Sequence, residues 1–317
     1  MAKIGKDIKK AKELLENGEL VAIPTETVYG LAANALNADA VAGIFTAKNR
    51  PEFDPLIVHI PSVANAGLYV RDIPEKAHTL ANAFWPGPLT LVLDRKPVIP
   101  DLVTAGLSTV GIRSPNHPLT RALLEQLDFP LAAPSANPFG YISPTTAQHV
   151  QNQLGDKIRY ILDGGACMIG IESTIVGFHN GDGVVLRTGG LKIEDIEAVI
   201  GKVKLQINSS SNPKSPGQLQ SHYAPRKEII IGNLEELIQA YSPASIDVLS
   251  FRTDHGVPSQ VVLSPAGNLE EAARNFFAAL RQLDESPTRL ILAEYLPDEG
   301  LGRAINDRLK RAAGLKI

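Results

Sequence analysis

The residues in this chain that could do chemistry are cations and hydroxyls placed where apolar runs begin or end. Lys48 and Arg50 close a helix-like stretch ahead of Pro51, and His59 closes the run Pro55-Leu56-Ile57-Val58. Arg113 and Arg187 end two further apolar runs. Hydroxyls cluster at Thr25-Glu26-Thr27, Pro134-Ser135-Ala136-Asn137-Pro138, Ser143-Pro144-Thr145 and Glu172-Ser173-Thr174. A guanidinium offers planar paired donors that match phosphate or carboxylate oxygens. A turn leaving a strand can present hydroxyls and backbone N–H groups to a ligand. A helix N-terminus with free N–H groups is a ready anion site. The chemistry such a set offers is the recognition of small anions.

Each residue also has a plainer account. Lys48 and Arg50 at a helix end favour the dipole. Arg113 would cap a sheet edge, and Arg187 would be an exposed edge charge. Thr109 would be an ordinary β-branched strand residue. Thr25 to Thr27 would form a capped turn, Ser143 would cap a helix over 145–154, and Ser173 would sit in a turn that starts a strand. Two prolines keep 134–138 out of regular helix and strand. Trp85-Pro86-Gly87-Pro88 reads as a rigid turn with a packed aromatic, and Cys167, the single cysteine, as a small buried filler.

Eight polar segments in order carry more weight than any one of them. They are Pro24-Thr25-Glu26-Thr27-Val28-Tyr29-Gly30-Leu31, Lys48-Asn49-Arg50-Pro51, Pro55-Leu56-Ile57-Val58-His59 and Trp85-Pro86-Gly87-Pro88-Leu89-Thr90. They continue with Gly111-Ile112-Arg113-Ser114-Pro115, Pro134-Ser135-Ala136-Asn137-Pro138, Gly170-Ile171-Glu172-Ser173-Thr174 and Leu186-Arg187-Thr188-Gly189-Gly190. This order resembles the L-threonylcarbamoyladenylate synthase family, whose fold is called YrdC-like. The resemblance implies an enzyme that converts threonine, bicarbonate and ATP into threonylcarbamoyl-AMP and pyrophosphate. The product would pass to a tRNA threonylcarbamoyl transferase complex.

The resemblance implies site residues position by position. Thr27, His59, Arg113 and Ser173 would hold threonine. Lys48, Arg50, Asp54, Thr109, Ala133, Ser135, Asn137, Ser143, Arg187 and Tyr223 would meet ATP, Ala133 through its backbone alone. No residue would act as a covalent nucleophile. Mg²⁺ would arrive on the triphosphate with its own waters, without a cage of protein ligands. Ser221-His222-Tyr223-Ala224-Pro225 resembles a segment that folds over the nucleotide as a lid in two-domain members; there Tyr223 would help exclude water. Two positions depart from the family's pattern. Asn49 stands where glycine is usual, and asparagine tolerates left-handed backbone angles. Asp54 stands where asparagine is usual, and a carboxylate there would repel a triphosphate unless Mg²⁺ intervened.

The elements that must position these residues alternate along the chain. Helices are expected over 7–17, 38–48, 74–84, 118–127, 145–154 and 192–200. Strands are expected over 20–23, 55–60, 89–94, 108–113, 130–133, 159–162, 173–178 and 184–187. Several strands follow one another without a helix, so a twisted mixed sheet with helices is expected. The polar, proline-punctuated stretch 208–217 reads as a linker. Beyond it strands at 228–231, 245–250, 259–263 and 288–293 and helices at 234–241, 269–283 and 301–313 make a small Rossmann-like α/β domain. The division is 1–205 for a YrdC-like catalytic domain, 206–227 for a linker with a lid segment, and 228–317 for the small domain. Gly-Asn-Leu-Glu-Glu occurs at 232–236 and 267–271, each copy reading as a capping box that starts a helix.

Composition narrows the alternatives. The net charge is −3, with 19 basic and 21 acidic residues over 1–205 and 12 and 13 over 206–317. Neither part has the basic footprint of a stable nucleic-acid binder. One cysteine excludes an intrachain disulfide and, with scattered histidines, argues against structural zinc. A cytoplasmic protein without a membrane span or signal peptide is the expectation. The rival readings are a non-catalytic RNA-binding module of the same fold, a carbamoyl transferase sharing the fold, and a nucleotide-binding regulatory protein in which Asp54 has ended catalysis.

Overall fold

The computed structural model describes residues 1–207 and 223–315. The expected linker at 208–217, with Ser221 and His222 of the expected lid segment, lies outside the described residues.

The larger domain opens with β1 (Lys3–Gly5), α1 (Ile8–Glu16), β2 (Val21–Ile23), β3 (Gly30–Asn34) and α2 (Ala38–Lys48). It continues with β4 (Ile57–His59), α3 (Glu75–Phe84), β5 (Leu89–Asp94), α4 (Asp101–Thr104), β6 (Thr109–Arg113) and α5 (Pro118–Leu124). Then come β7 (Leu131–Ala132), α6 (Ala147–Leu154), β8 (Tyr160–Leu162), β9 (Thr174–His179), β10 (Asp182–Arg187), α7 (Ile193–Ile200) and β11 (Lys204–Leu205). These strands form one mixed sheet in the order β1-β8-β2-β3-β7-β4-β6-β5-β9-β10-β11. The β4–β6 and β5–β9 pairs are parallel, whereas β5–β6 and β9–β10 are antiparallel. Alternation of side chains puts each strand into two cores. On β3, Leu31 and Ala33 face one core with Val41, Ile44 and Val58, while Ala32 faces another with Leu14, Leu15 and Tyr160.

The smaller domain contains β12 (Glu228–Ile231), α8 (Leu234–Gln239), β13 (Ile246–Ser250), β14 (Gln260–Val262), α9 (Leu269–Asp284), β15 (Leu290–Ala293) and α10 (Gly300–Ala312). Its four strands are all parallel, in the order β12-β15-β13-β14. Ile246, Val248 and Leu292 face one core with Leu234 of α8. Leu249, Ile291 and Ala293 face another, built on Phe276, Phe277 and Ile305 of α9 and α10. That second core also takes in Val28, Ile142 and Ile171 of the larger domain, so a continuous apolar interface joins the two.

Three local expectations change. β1, β3 and β11 form where no strand is expected, and α4 where no helix is. The cap of α6 is Thr146, whose side chain accepts from the His149 N–H at 3.2 Å, so Ser143 is not the helix cap. Asn233 and Asn268 do cap α8 and α9, but the return arm of each capping box is missing. Glu236 accepts from the Asn233 side-chain amide, and the Asn268 N–H is taken by Ser264 Oγ.

Candidate active site

The cations of the site are delivered by element ends. α2 stops at Asn49, which adopts φ 50° and ψ 43°, the left-handed conformation that asparagine tolerates. The Arg50 N–H then bonds the Phe45 carbonyl at 3.0 Å and closes the turn. Lys48 is buried, and its ammonium donates to the Ser135 and Asn137 carbonyls at 2.5 Å each. It therefore ties the 134–138 loop to α2. Arg50 donates through Nε to the Asp54 carbonyl at 3.2 Å and through Nη2 to the Pro55 carbonyl at 2.8 Å. Its Nη2 also lies 2.9 Å from Asp54 Oδ2, a pair of fully buried charges.

Across the sheet, His59 on β4 and Arg113 on β6 are direct neighbours in a parallel register. Both sit at the C-terminal ends of their strands and point to one mouth. Arg113 is held by the Gly87 carbonyl at 3.2 Å and by Glu26 Oε1 at 2.8 Å. The other Glu26 oxygen accepts from the Asn116 N–H at 2.9 Å. Burial, reinforced by the Arg113 charge, pushes His59 down to about 3, so its imidazole is neutral near pH 7. Thr25 organises the turn beside it: its hydroxyl accepts from the Thr27 and Val28 N–H groups and lies 2.7 Å from the Thr27 hydroxyl.

The third wall comes from β9 and β10. Arg187 donates through Nε and Nη2 to the Ser173 carbonyl and through Nη2 to Ser173 Oγ at 3.1 Å. Ser173 Oγ also lies 2.8 Å from the Thr90 hydroxyl. Glu172 accepts from Ser143 Oγ at 2.6 Å and from Arg308 Nε at 3.1 Å. Burial lowers the pKa of Lys48, Arg50 and Arg187, so an anion entering this space would gain from relieving that cost.

These walls enclose one pocket. Nine of the fourteen expected site residues line it: Thr27, His59, Arg113, Ser173, Arg50, Ala133, Ser135, Arg187 and Tyr223. Thr25, Val28, Gly30, Ile57, Pro134 and Glu172 complete the lining. The Ala133 N–H is already given to the Ile57 carbonyl at 3.0 Å. Four expected residues sit behind the lining. Lys48 and Asn137 fix the 134–138 loop, Asn137 through its amide to the Pro138 and Tyr141 carbonyls. Asp54 is fully buried against Arg50, and Ser143 against Glu172. Thr109 lies at the opposite end of β6 from Arg113, about 13 Å along the strand, opposite Asp94. It lines a shallow depression with Val92, Gly177 and Leu186.

Sequence reasoning missed the carboxylates that hold the cations, Glu26 and Glu172, and two arginines from the smaller domain, Arg281 and Arg308. The last two were readable in principle. Arg308 falls on the apolar stripe Leu301, Ala304, Ile305, Leu309 and Ala312 of α10, and Arg281 on the stripe Ala273, Phe276, Phe277 and Leu280 of α9. A charge on the buried face of a helix needs a buried partner. Cys167 is the buried filler expected, its thiol pushed up by burial.

Fold and site together define a mixed-sheet α/β protein with a pocket lined by three buried arginines, Arg50, Arg113 and Arg187. The family model described as "Telomere recombination" matches residues 13–189, and that described as "Threonylcarbamoyl-AMP synthase, C-terminal domain" matches residues 191–314. The chain is 44% identical to a threonylcarbamoyl-AMP synthase of Bacillus subtilis, over 98% of this chain and 94% of that one. It is 42% identical to one from Pyrococcus abyssi, over 98% and 95%. The crystal structure of P. abyssi Sua5 complexed with L-threonine superposes with a TM-score of 0.93 at 40% identity, covering 100% of this chain and 99% of that one. The chain belongs to the threonylcarbamoyl-AMP synthase family. Among the described residues no helix is long and apolar enough to cross a membrane.

Proposed function

We propose that this protein condenses L-threonine, bicarbonate and ATP into threonylcarbamoyl-AMP and pyrophosphate, for N6-threonylcarbamoylation of tRNA adenosine by a downstream transferase. The observation that carries the reading is the convergence, on one pocket, of Arg113 beside neutral His59 with Arg50, Ser135 and Arg187. A zwitterionic amino acid and a polyphosphate would share that space.

Threonine would give its carboxylate to Arg113 and its polar groups to His59, Thr27 and Ser173. A neutral imidazole can accept from an ammonium without repelling it. Once the ammonium has given a proton to solvent, the amine and bicarbonate form a carbamate with loss of water. A carbamate oxygen then attacks the α-phosphorus of ATP, and the α–β phosphoanhydride bond breaks to release pyrophosphate. Arg50, Arg187 and Ser135 would hold the phosphates in line and stabilise the charge that develops there. The nucleoside would lie along the sheet face toward Thr109. Tyr223, at the pocket wall, would keep water from the mixed anhydride.

Mg²⁺ would enter as part of the ATP substrate. The carboxylates in and just behind the pocket wall do not suit a resident metal, because each is already engaged: Glu172 by Arg308, Glu26 by Arg113, and Asp54 by Arg50. The test is mass spectrometry of rapidly quenched reactions holding ATP, Mg²⁺, bicarbonate and L-threonine, omitting each in turn. The expected result is threonylcarbamoyl-AMP, lost on any single omission. ATP binding without product would instead assign the chain a regulatory, nucleotide-binding role.

A further inference from the structure

Among the described residues, the pocket is lined by the larger domain and Tyr223, with no side chain from β12 onward. Yet the segments that form one wall of the pocket are held from outside by the smaller domain. Gly170, at φ 81°, lies so close to α9 that a Cβ there would come within 2.5 Å of the Arg274 Cα. Arg281 of α9 donates to the Ile142 and Ser143 carbonyls and, at 3.0 Å, to Gln153. Arg308 of α10, fully buried, donates to Glu172 at 3.1 Å and to the Thr188 carbonyl at 2.5 Å. It therefore clasps the residue before Ser173 and the residue after Arg187.

Arg308 also pairs with Asp307 at 3.1 Å and reaches an aromatic ring. Its guanidinium carbon lies 5.5 Å from the centroid of the Tyr223 ring, within cation–π range. Phe277 of α9 packs on the same ring with centroids 5.5 Å apart. Tyr223 is also one of few non-glycine residues with positive φ, at 64°, a conformation that persists only where surroundings enforce it. Arg308 and Phe277 contribute to those surroundings through the ring, beside the Ala224 N–H that bonds the Gly140 carbonyl at 2.8 Å. By contrast, Arg113 and Thr27 on the threonine side take their polar partners from Gly87, Glu26 and Thr25, all within the larger domain.

We propose that Arg308 is a positioning residue for the nucleotide. One guanidinium sets Tyr223, the Glu172–Ser143 pair and the strand end bearing Arg187, and the smaller domain contributes to the reaction by delivering it. The planar fork explains why arginine stands here, since lysine has no second donor plane with which to clasp two segments and stack on a ring. The identity of the nucleotide rests on the synthase reading above; the positioning itself does not.

The test compares Arg308→Lys and Phe277→Leu with Val248→Ala, a control in the smaller domain's other core. Kinetics in ATP and threonine are run beside thermal unfolding, and ATP binding without threonine is read by calorimetry. Arg308→Lys and Phe277→Leu should each raise the ATP KM and weaken ATP binding by about tenfold, with the threonine KM within about twofold of the parent. Val248→Ala should lower the unfolding temperature and leave both KM values in place. If Arg308→Lys does not fold, Phe277→Leu decides the question, because it loosens Tyr223 without touching Glu172. Variants that only lose active fraction, as the control does, or that raise both KM values equally, would overturn the proposal. A parent that binds ATP but makes no product would sink the synthase reading, while the calorimetric comparison still tests the positioning.

Discussion

Two buried polar clusters in this chain use the same residue types to opposite ends. In the smaller domain, Asp247 at the start of β13 accepts from Lys227, Ser259, Ser286 and Thr288 at 2.5–2.8 Å. Those partners sit just ahead of β12, β14 and β15, so one carboxylate staples the N-terminal ends of all four strands. In the larger domain's pocket the charges are equally buried but less completely bonded. Glu26 Oε1, Arg113 Nη2, both Asp54 oxygens and Thr188 Oγ1 have no well-directed hydrogen bond, although Glu26–Arg113 and Arg50–Asp54 are close ion pairs. A closed circuit of buried polar groups rigidifies a fold, while an incomplete one leaves donors such as Arg113 Nη2 and Thr188 Oγ1 in reserve for a ligand.

The largest effect is expected where the circuit is closed. Asp247→Ala leaves buried Lys227 without its counter-ion and should destabilise the smaller domain by about 3–5 kcal/mol, read by urea unfolding. The KM values of the folded fraction should stay at the parent's. A selective rise in the ATP KM would show that the staple and the pocket are not separate devices.

At the pocket the signature reverses. Arg113→Ala removes the cation proposed for the threonine carboxylate. It should cost about 2–3 kcal/mol, or roughly a hundredfold in kcat/KM for threonine, with a much smaller change for ATP. Equal losses for both substrates would refute the division of the pocket into an amino-acid side and a phosphate side.

A third contrast lies in pH. His59 is buried neutral, with its pKa pushed from 6.5 to about 3, so below pH 6.5 the unfolded chain binds a proton that the folded chain refuses. Stability from this group is fully present above pH 6.5 and is lost as pH falls toward 3. At pH 5 the loss should be about 2 kcal/mol relative to neutral pH, and His59→Gln should flatten that limb. His149, pushed down to about 4 by burial and by Arg281, adds a smaller loss in the same window. If the acid limb is unchanged in His59→Gln, the imidazole is not the group that refuses the proton.

The sequence made the strand ends legible because polar residues break apolar runs there. α2 falls on its expected bounds, and Asn49 takes the left-handed angle expected of it. β3 was not legible: Gly-Leu-Ala-Ala-Asn has no β-branched residue, and it becomes a strand because β2 and β7 pair with it on either side. Ser143 shows the limit at the level of the site. Its place just before α6 suggested a cap, and only the fold brings Glu172 within 2.6 Å of its hydroxyl. Thr109, Lys48, Asn137 and Asp54 show the same limit, since spacing along the chain does not tell which residues face a cavity and which stand behind it.

The smallest expected effect tests the contrast most closely. Asp54 is the departure that would repel a triphosphate, yet its carboxylate lies 2.9 Å from Arg50, behind the pocket lining. Burial raises its pKa, against the pull of Arg50, Lys48 and Arg187. Asp54 thus serves as the resident anion for cations that would otherwise be buried unpaired, and phosphate oxygens would compete with it for Arg50. Asp54→Asn keeps the shape and removes one negative charge. ATP affinity should rise roughly fivefold, while the nucleotide-free protein is destabilised because buried Arg50 lacks its counter-ion. Calorimetric titration and thermal unfolding read the two halves separately. If ATP affinity falls instead, the carboxylate is needed to aim Arg50, and the pocket is closer to the closed circuit around Asp247 than its unbonded oxygens suggest.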